Sequence, residues 1–182
     1  MRELSLHILD IVTNSIEADA TRILVHVQES QSQDLLRIRI RDNGRGMSED
    51  MVNRVSDPFV TTRKTRAVGM GISLIKQAAL QARGDVQIRS QLGKGTQIEI
   101  KFKLNCLNRL PLGNMVETII NLVVGTPDVH FVYIHENDDK RFVFDSFWVF
   151  ARMDEYDCSF FEAVQKARKY LTENLKQIQQ VD

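Results

Sequence analysis

From Leu35 to Asp42 the chain alternates without a break. Leu36, Ile38 and Ile40 share one parity, and Arg37, Arg39 and Arg41 share the other. A period of two sends successive side chains to opposite faces, so this segment is a strand with one apolar and one cationic face. The same parity carries an acid inward: Asp42 falls in line with Leu36, Ile38 and Ile40. A carboxylate placed on the apolar side of a sheet must find hydrogen-bond donors, because an unpaired buried charge is very costly.

The neighbouring segments surround this strand with helices and further strands. Residues 2–18 predict a helix. Leu4, Ile8, Ile11, Val12 and Ser15 lie on one side of it, and His7, Asp10, Asn14 and Glu17 on the other. Residues 21–28 alternate as a strand with Ile23, Val25 and Val27 on one face. Ser48 caps a short helix whose first turn holds Glu49 and Asp50. A helix runs from Gly71 to Arg83 and stops at Gly84, and strands at 86–90 and 96–104 flank the turn Leu92-Gly-Lys-Gly95. The order of helix, two strands, helices and two strands predicts a layered α/β domain with a mixed or antiparallel sheet, in place of repeated βαβ units.

The texture changes after Asn105, with a junction at Pro111-Leu-Gly113. A helix with Val116, Ile119, Ile120 and Val123 on its apolar stripe comes next, then strands at 129–136 and 140–147 joined through Asn137-Asp-Asp139. Ser159 and Glu162 form a capping box before a last helix. The expected organisation is thus one domain over residues 1–104 and an α-β-β-α extension over 105–182, packed on the first. Phe142, Phe144, Phe147, Trp148, Phe150, Phe160 and Phe161 concentrate aromatic side chains in the extension. They predict a small core, with a partner or dimer surface as the alternative.

Charge follows the same division. Residues 1–104 carry 16 Lys+Arg against 12 Asp+Glu, and residues 105–182 carry 8 against 12, so a net charge of zero conceals +4 and −4. A positive first part suits a polyphosphate ligand, and chance variation explains so small a difference equally well. No segment reads as a signal peptide and no apolar run approaches a membrane span. Cys106 and Cys158 lack metal-ligand spacing and read as reduced thiols. A cytoplasmic protein is expected, with no nucleic-acid ligand and no membrane.

Four segments carry chemistry. Asp42, followed by Gly44 and Gly46, either closes its strand in an ordinary Asp-Asn-Gly turn or accepts from the exocyclic amine of adenine, with glycines that let the backbone pass near the base. Thr96 shares the inward parity of Ile98, Ile100 and Phe102. Its hydroxyl either shares that base or belongs to a simple β-former. Asp10 and Asn14 lie one helical turn apart; an amide oxygen suits Mg²⁺ and a carboxylate can orient or deprotonate an attacking group, although a solvated face is the commoner reading. Gly69-Met70-Gly71 opens a helix and offers free amides to an anion. The preceding Thr61-Thr62-Arg63-Lys64, with Arg66, reads as a short cationic lid or as solvated surface. Neither a dinucleotide fingerprint nor a P-loop occurs.

Taken together, Asp10-Ile-Val-Thr-Asn14, Asp42-Asn-Gly-Arg-Gly46, Gly69-Met-Gly71 and Gly93-Lys-Gly-Thr96 resemble the GHKL superfamily of ATP-binding domains, which includes gyrase, Hsp90, histidine kinases and MutL. The segment from Asn14 to Thr21 and the segment from Ile40 to Gly46 are similar to MutL, whereas Asp57-Pro-Phe-Val-Thr-Thr-Arg63 and the later boxes resemble histidine kinases and anti-sigma-factor serine kinases. The resemblance implies a two-layer Bergerat-type α/β sandwich, three helices on one face of the sheet, and ATP or ADP with Mg²⁺ between helices and lid. It implies that Asn14 binds Mg²⁺, Asp42 the adenine amine, Gly44, Gly46 and Met47 the base region, Thr96 the adenine edge, and Gly69, Met70 and Gly71 the phosphates, with Thr61, Thr62, Arg63 and Lys64 closing over them. Asp10 takes the place of a catalytic glutamate. It is one methylene shorter, which implies slow hydrolysis or none.

The function this predicts is a stand-alone regulatory ATP·Mg-binding protein with weak ATPase or protein kinase activity, acting on a protein partner, with homodimerisation allowed. The alternatives are a non-enzymatic ATP-sensing switch, a separated catalytic subunit of a two-component system, and a MutL-like clamp. The chain starts at the helix bearing Asn14, so no phosphoacceptor-histidine domain is expected ahead of it, and 78 residues after Leu104 are few for the full apparatus of a clamp.

Overall fold

The computed structural model describes residues 2–56, 71–148 and 158–179. The elements are α1 (Leu4–Glu17), β1 (Arg22–Ser30), β2 (Leu35–Asp42), α2 (Glu49–Ser56), α3 (Gly71–Gln81), β3 (Asp85–Gln91), β4 (Gly95–Lys103), α4 (Met115–Gly125), β5 (His130–Asn137), β6 (Lys140–Asp145) and α5 (Phe160–Gln179). The six strands form one mixed sheet in the order β3-β4-β2-β1-β5-β6. All pairings are antiparallel except β1 with β5, which is parallel.

Strand parity decides what this sheet buries. Ile23, Val25 and Val27 of β1, Leu36, Ile38 and Ile40 of β2, and Ile98, Ile100 and Phe102 of β4 are buried in one core. The register aligns them across the sheet: Val25 faces Ile40, and Ile40 faces Ile98. On the other side of β1, Ile23 pairs with Phe131 and Val25 with Tyr133, so β5 continues the same apolar face. The helices supply the covering layer. Leu4, Ile8, Ile11 and Val12 of α1, Ile75 and Ala79 of α3, Ile119 and Val123 of α4, and Leu171 and Leu175 of α5 all enter the core. The fold is the mixed α/β two-layer arrangement that the pattern of elements predicts.

Local signals set the ends of the elements. Ser48 Oγ accepts from Met51 N at the start of α2, and Asn114 Oδ1 accepts from Glu117 N at the start of α4. The capping box of α5 closes both ways: Ser159 N donates to Glu162 Oε2, and Glu162 N donates to Ser159 Oγ. Among the aromatics of the second half, Phe142 and Phe144 are core, while Phe147, Trp148, Phe160 and Phe161 are exposed; Phe150 lies outside the described residues. Both cysteines are free and partly buried. Among the described residues no helix is long and apolar enough to cross a membrane.

A buried polar chain ties β5 to β1. Tyr133 Oη lies 2.9 Å from His135 Nδ1, and His135 Nε2 lies 2.9 Å from Glu29 Oε1. Burial pushes the Tyr133 hydroxyl well above its ordinary pKa, so it stays protonated.

The opposite face of the sheet is charged, as the arginine parity of β2 requires. Glu99 accepts from Arg39 Nε at 2.6 Å and pairs with Lys101 at 2.9 Å. The Arg39 hydrogen bond, aided by Lys101, holds the Glu99 carboxyl down at about 2. A carboxyl depressed in the folded state takes up its proton more readily in the unfolded chain. The stability it contributes is therefore present above about pH 4.5 and lost as the pH falls towards 2. Urea midpoints recorded across that window should fall less steeply for Glu99→Gln than for the wild type. At neutral pH the substitution should cost about 1 kcal/mol or less, because Arg39 is partly exposed.

Candidate functional site

Three elements converge on Asp42 at the end of β2. Its carboxylate is buried, with 8% exposure remaining. Oδ1 accepts from Gly44 N at 2.9 Å and from Thr96 N at 3.1 Å, and Oδ2 accepts from Ser15 Oγ at 2.8 Å. These donors come from the loop after β2, from the start of β4 and from α1. An ionised carboxylate offers about four acceptor positions, so one remains on Oδ2 after these three are filled. Three fixed donors stabilise the anion without removing its capacity to accept from a ligand.

The loop after Asp42 is pressed against the β3–β4 turn. Gly46 has φ +67°, and a Cβ there would overlap the carbonyl of Gln91, so the backbone approach requires glycine. Met47 N donates to Ser90 Oγ at 2.8 Å, and Gly93 N donates to Arg45 O at 2.8 Å. Arg45 N donates to Ala18 O, which ties the same loop to the end of α1. Gly44, Gly46 and Met47 thus lie in the loop that joins Asp42 to the β3–β4 turn and the start of β4.

The polar face of α1 is only partly solvated: Glu17 is exposed, but His7 is only 3% exposed and its Nδ1 has no partner among the described residues. His7 is thus buried although it lies on the side of α1 opposite the apolar stripe; α3 packs against α1. Burial holds the His7 pKa below its ordinary value, while the nearby Asp10 carboxylate pulls it upward. Asp10 itself reaches the first residue of α3. A Cβ on Gly71 would overlap the Asp10 carboxylate, and the absence of that carbon is what gives the short acid its place. Asp10 Oδ2 is buried without a hydrogen-bond donor among the described residues. Asn14 is half-buried one turn further along the helix.

One helix therefore serves two places. Ser15 contacts Asp42 and Asp10 contacts Gly71, five residues or about 7.5 Å of helix apart. The orphaned Asp10 oxygen can accept from a water, and the side-chain amide oxygen of Asn14 one helical turn away is a suitable ligand for a hard cation carrying water and phosphate oxygens. Thr61, Thr62, Arg63, Lys64, Gly69 and Met70 lie outside the described residues.

Ser15 and Ser90 also belong to the site: Ser15 falls within the Asn14–Thr21 segment without a role assigned to it, and Ser90 lies outside every motif. Ser15 is legible as a hydroxyl on an otherwise apolar stripe, and Ser90 as a hydroxyl continuing the parity of Val86 and Ile88. Neither signal says which distant residue the hydroxyl meets.

The profile of the histidine kinase-, DNA gyrase B- and HSP90-like ATPases matches residues 2–105. The chain belongs to this family. A putative sensor protein of Shewanella frigidimarina is 31% identical over 99 residues, covering 53% of this chain and 15% of its own length. The sensor histidine kinase ZraS of Escherichia coli is 27% identical over 106 residues, covering 58% of this chain and 23% of its own. The chain spans less than a quarter of the length of these relatives. In three dimensions it is similar to the MutL ATPase domain of Aquifex aeolicus complexed with ADP, with a TM-score of 0.55 at 17% identity, over 93% of this chain and 70% of that one.

The fit between Asp10 and Gly71 is open to a double-mutant cycle. Gly71→Ala should destabilise the fold by about 1–3 kcal/mol through overpacking. Most of that loss should disappear in an Asp10→Ala background, because the two changes act on the same space. Chemical denaturation of the four proteins measures the coupling.

Proposed function

We propose that this chain is an ATP·Mg²⁺-binding regulatory domain whose nucleotide lies against Asp42, Thr96 and the N-terminus of α3. The carrying observation is the Asp42 carboxylate, which accepts from three internal donors and is left with one acceptor position. An exocyclic amine of a base matches that position, since it donates without bringing a charge. Thr96, whose amide already reaches Asp42, places its hydroxyl beside the same edge. Gly44, Gly46 and Met47 form the backbone wall next to the base, and the amides at Gly71 face the phosphate end. The described part of the donor set assigned to phosphates and lid is Gly71 alone; Gly69, Met70 and residues 61–64 complete it in this reading.

Asn14 would hold Mg²⁺. The cation, when bound, neutralises phosphate charge and makes the terminal phosphoryl group more electrophilic. Asp10 acts on the attacking group: its carboxylate orients a water or hydroxyl and accepts its proton. The reach of this acid is one methylene less than that of a glutamate, and its place against Gly71 holds it close to the phosphate end. Turnover is accordingly slow, and the ATP-bound state is long-lived enough to be read by a protein partner. The domain is a weak ATPase or a kinase of a cytoplasmic protein, with Ser, Thr or His as the acceptor. The sensor kinases among its relatives support a second reading, in which it is the catalytic module of a two-component system.

Titration calorimetry with ATP and Mg²⁺ tests the assignment. Asp42→Asn replaces an acceptor by an amide, and its affinity for ATP should fall at least about tenfold, the loss expected for a hydrogen bond to a charged group. Unchanged affinity would remove Asp42 from the site. Asp10→Asn should retain binding and lose hydrolysis, as followed by phosphate release in single turnover; hydrolysis at the full rate in this variant eliminates Asp10 as the base.

A further inference from the structure

Ser90 lies outside every motif that defines the site, yet it touches three of its parts. It is the penultimate residue of β3 and stands opposite Thr96 of β4. Its Oγ accepts from Met47 N at 2.8 Å, lies 3.0 Å from the carbonyl oxygen of Gly95, and lies 2.9 Å from Thr96 Oγ1. A carbonyl can only accept, so the single proton of Ser90 goes to Gly95 O. One lone pair of Ser90 is filled by the Met47 amide. What remains for Thr96 is the second lone pair of Ser90, and a hydroxyl approaching a lone pair must donate.

We propose that Ser90 is a specificity-determining positioning residue: by drawing the Thr96 proton to itself, it turns the Thr96 hydroxyl into a second side-chain acceptor beside Asp42. Asp42 is already an acceptor, and the amides of Gly44 and Thr96 are used in holding it. Two side-chain acceptors at that edge match the exocyclic amine of a 6-amino purine and oppose a 6-oxo purine, whose carbonyl would meet Asp42 and Thr96 with no proton between them. The inference rests on the nucleotide reading given above and extends it from the presence of a base to the choice of base.

The discriminating quantity is the ratio of the dissociation constants of ATP and inosine triphosphate, measured by titration calorimetry with Mg²⁺. In Ser90→Ala the Thr96 hydroxyl is free to turn and donate. ATP should bind roughly two- to tenfold more weakly, as for loss of a neutral hydrogen bond. Inosine triphosphate should bind as well as before or better, so the ratio shrinks. Ser90→Thr keeps the hydroxyl on a strand-compatible side chain and should restore the ratio. Ser90→Cys, close in volume and a weak hydrogen-bonding group, repeats the test if the alanine variant does not fold. An equal loss for both nucleotides in the variants, or no change in either, overturns the role of Ser90 while leaving ATP binding intact. Failure of the wild type to bind ATP, or undiminished binding by Asp42→Asn, instead overturns the nucleotide reading and takes this inference with it.

Discussion

The interaction on which the arrangement depends is the solvation of one buried carboxylate by the protein itself. Asp42 ends β2 on the apolar side of the sheet, where an unpaired charge would cost several kcal/mol. Ser15, Gly44 and Thr96 each contribute a donor, and each comes from a different stretch of chain. Forming the anion's shell therefore docks α1 on the sheet, turns the loop after β2 back on itself and sets the start of β4 beside it. Apolar burial drives the layers together, but it is indifferent to sliding by a few ångströms. The carboxylate removes that freedom.

The same economy runs along α1. Its apolar stripe enters the core, its Ser15 serves Asp42, and its Asp10 fills the space left by the missing side chain of Gly71. The Asp42 end and the Gly71 end of the site are consequently mounted on one rigid rod. A displacement of α3 acts first on Asp10, because nothing but a hydrogen atom of Gly71 separates the two. The chemistry proposed for Asp10 and the packing of α3 are thus one mechanical problem.

Much of this was legible in the residues, and the reason is parity. Alternation placed Asp42 and Thr96 inward, predicted the strands to within a residue or two, and separated the arginine face, where Arg39 now holds Glu99, from the core. Helical periodicity marked the stripe of α1 correctly. It could not say what lies against the other side, where His7 is buried. Nor could periodicity connect Ser15 to Asp42 across 27 residues of chain, or Ser90 to Met47 across 43. A lone serine near the end of a strand has the composition of a turn, and only tertiary contact reveals it as a junction. The hairpin of β5 and β6 was likewise recognisable by its alternation, whereas the edge it joins depends on a crossover through α4 that no local signal encodes.

That edge has a consequence for how the ATPase module can be separated from the rest of the chain. The family match stops at Asn105, but the outer side of β1 is paired over eight residues with β5, from Arg22 with His130 to Glu29 with Asn137. A fragment ending at the family boundary would leave that row of amides and carbonyls bare beside Ile23, Val25 and Val27. Bare edges of this kind recruit strands from other molecules. The segment that follows residue 105 thus covers the long edge of β1 and moves the outer edge of the sheet to the short, Lys- and Arg-bearing strand β6.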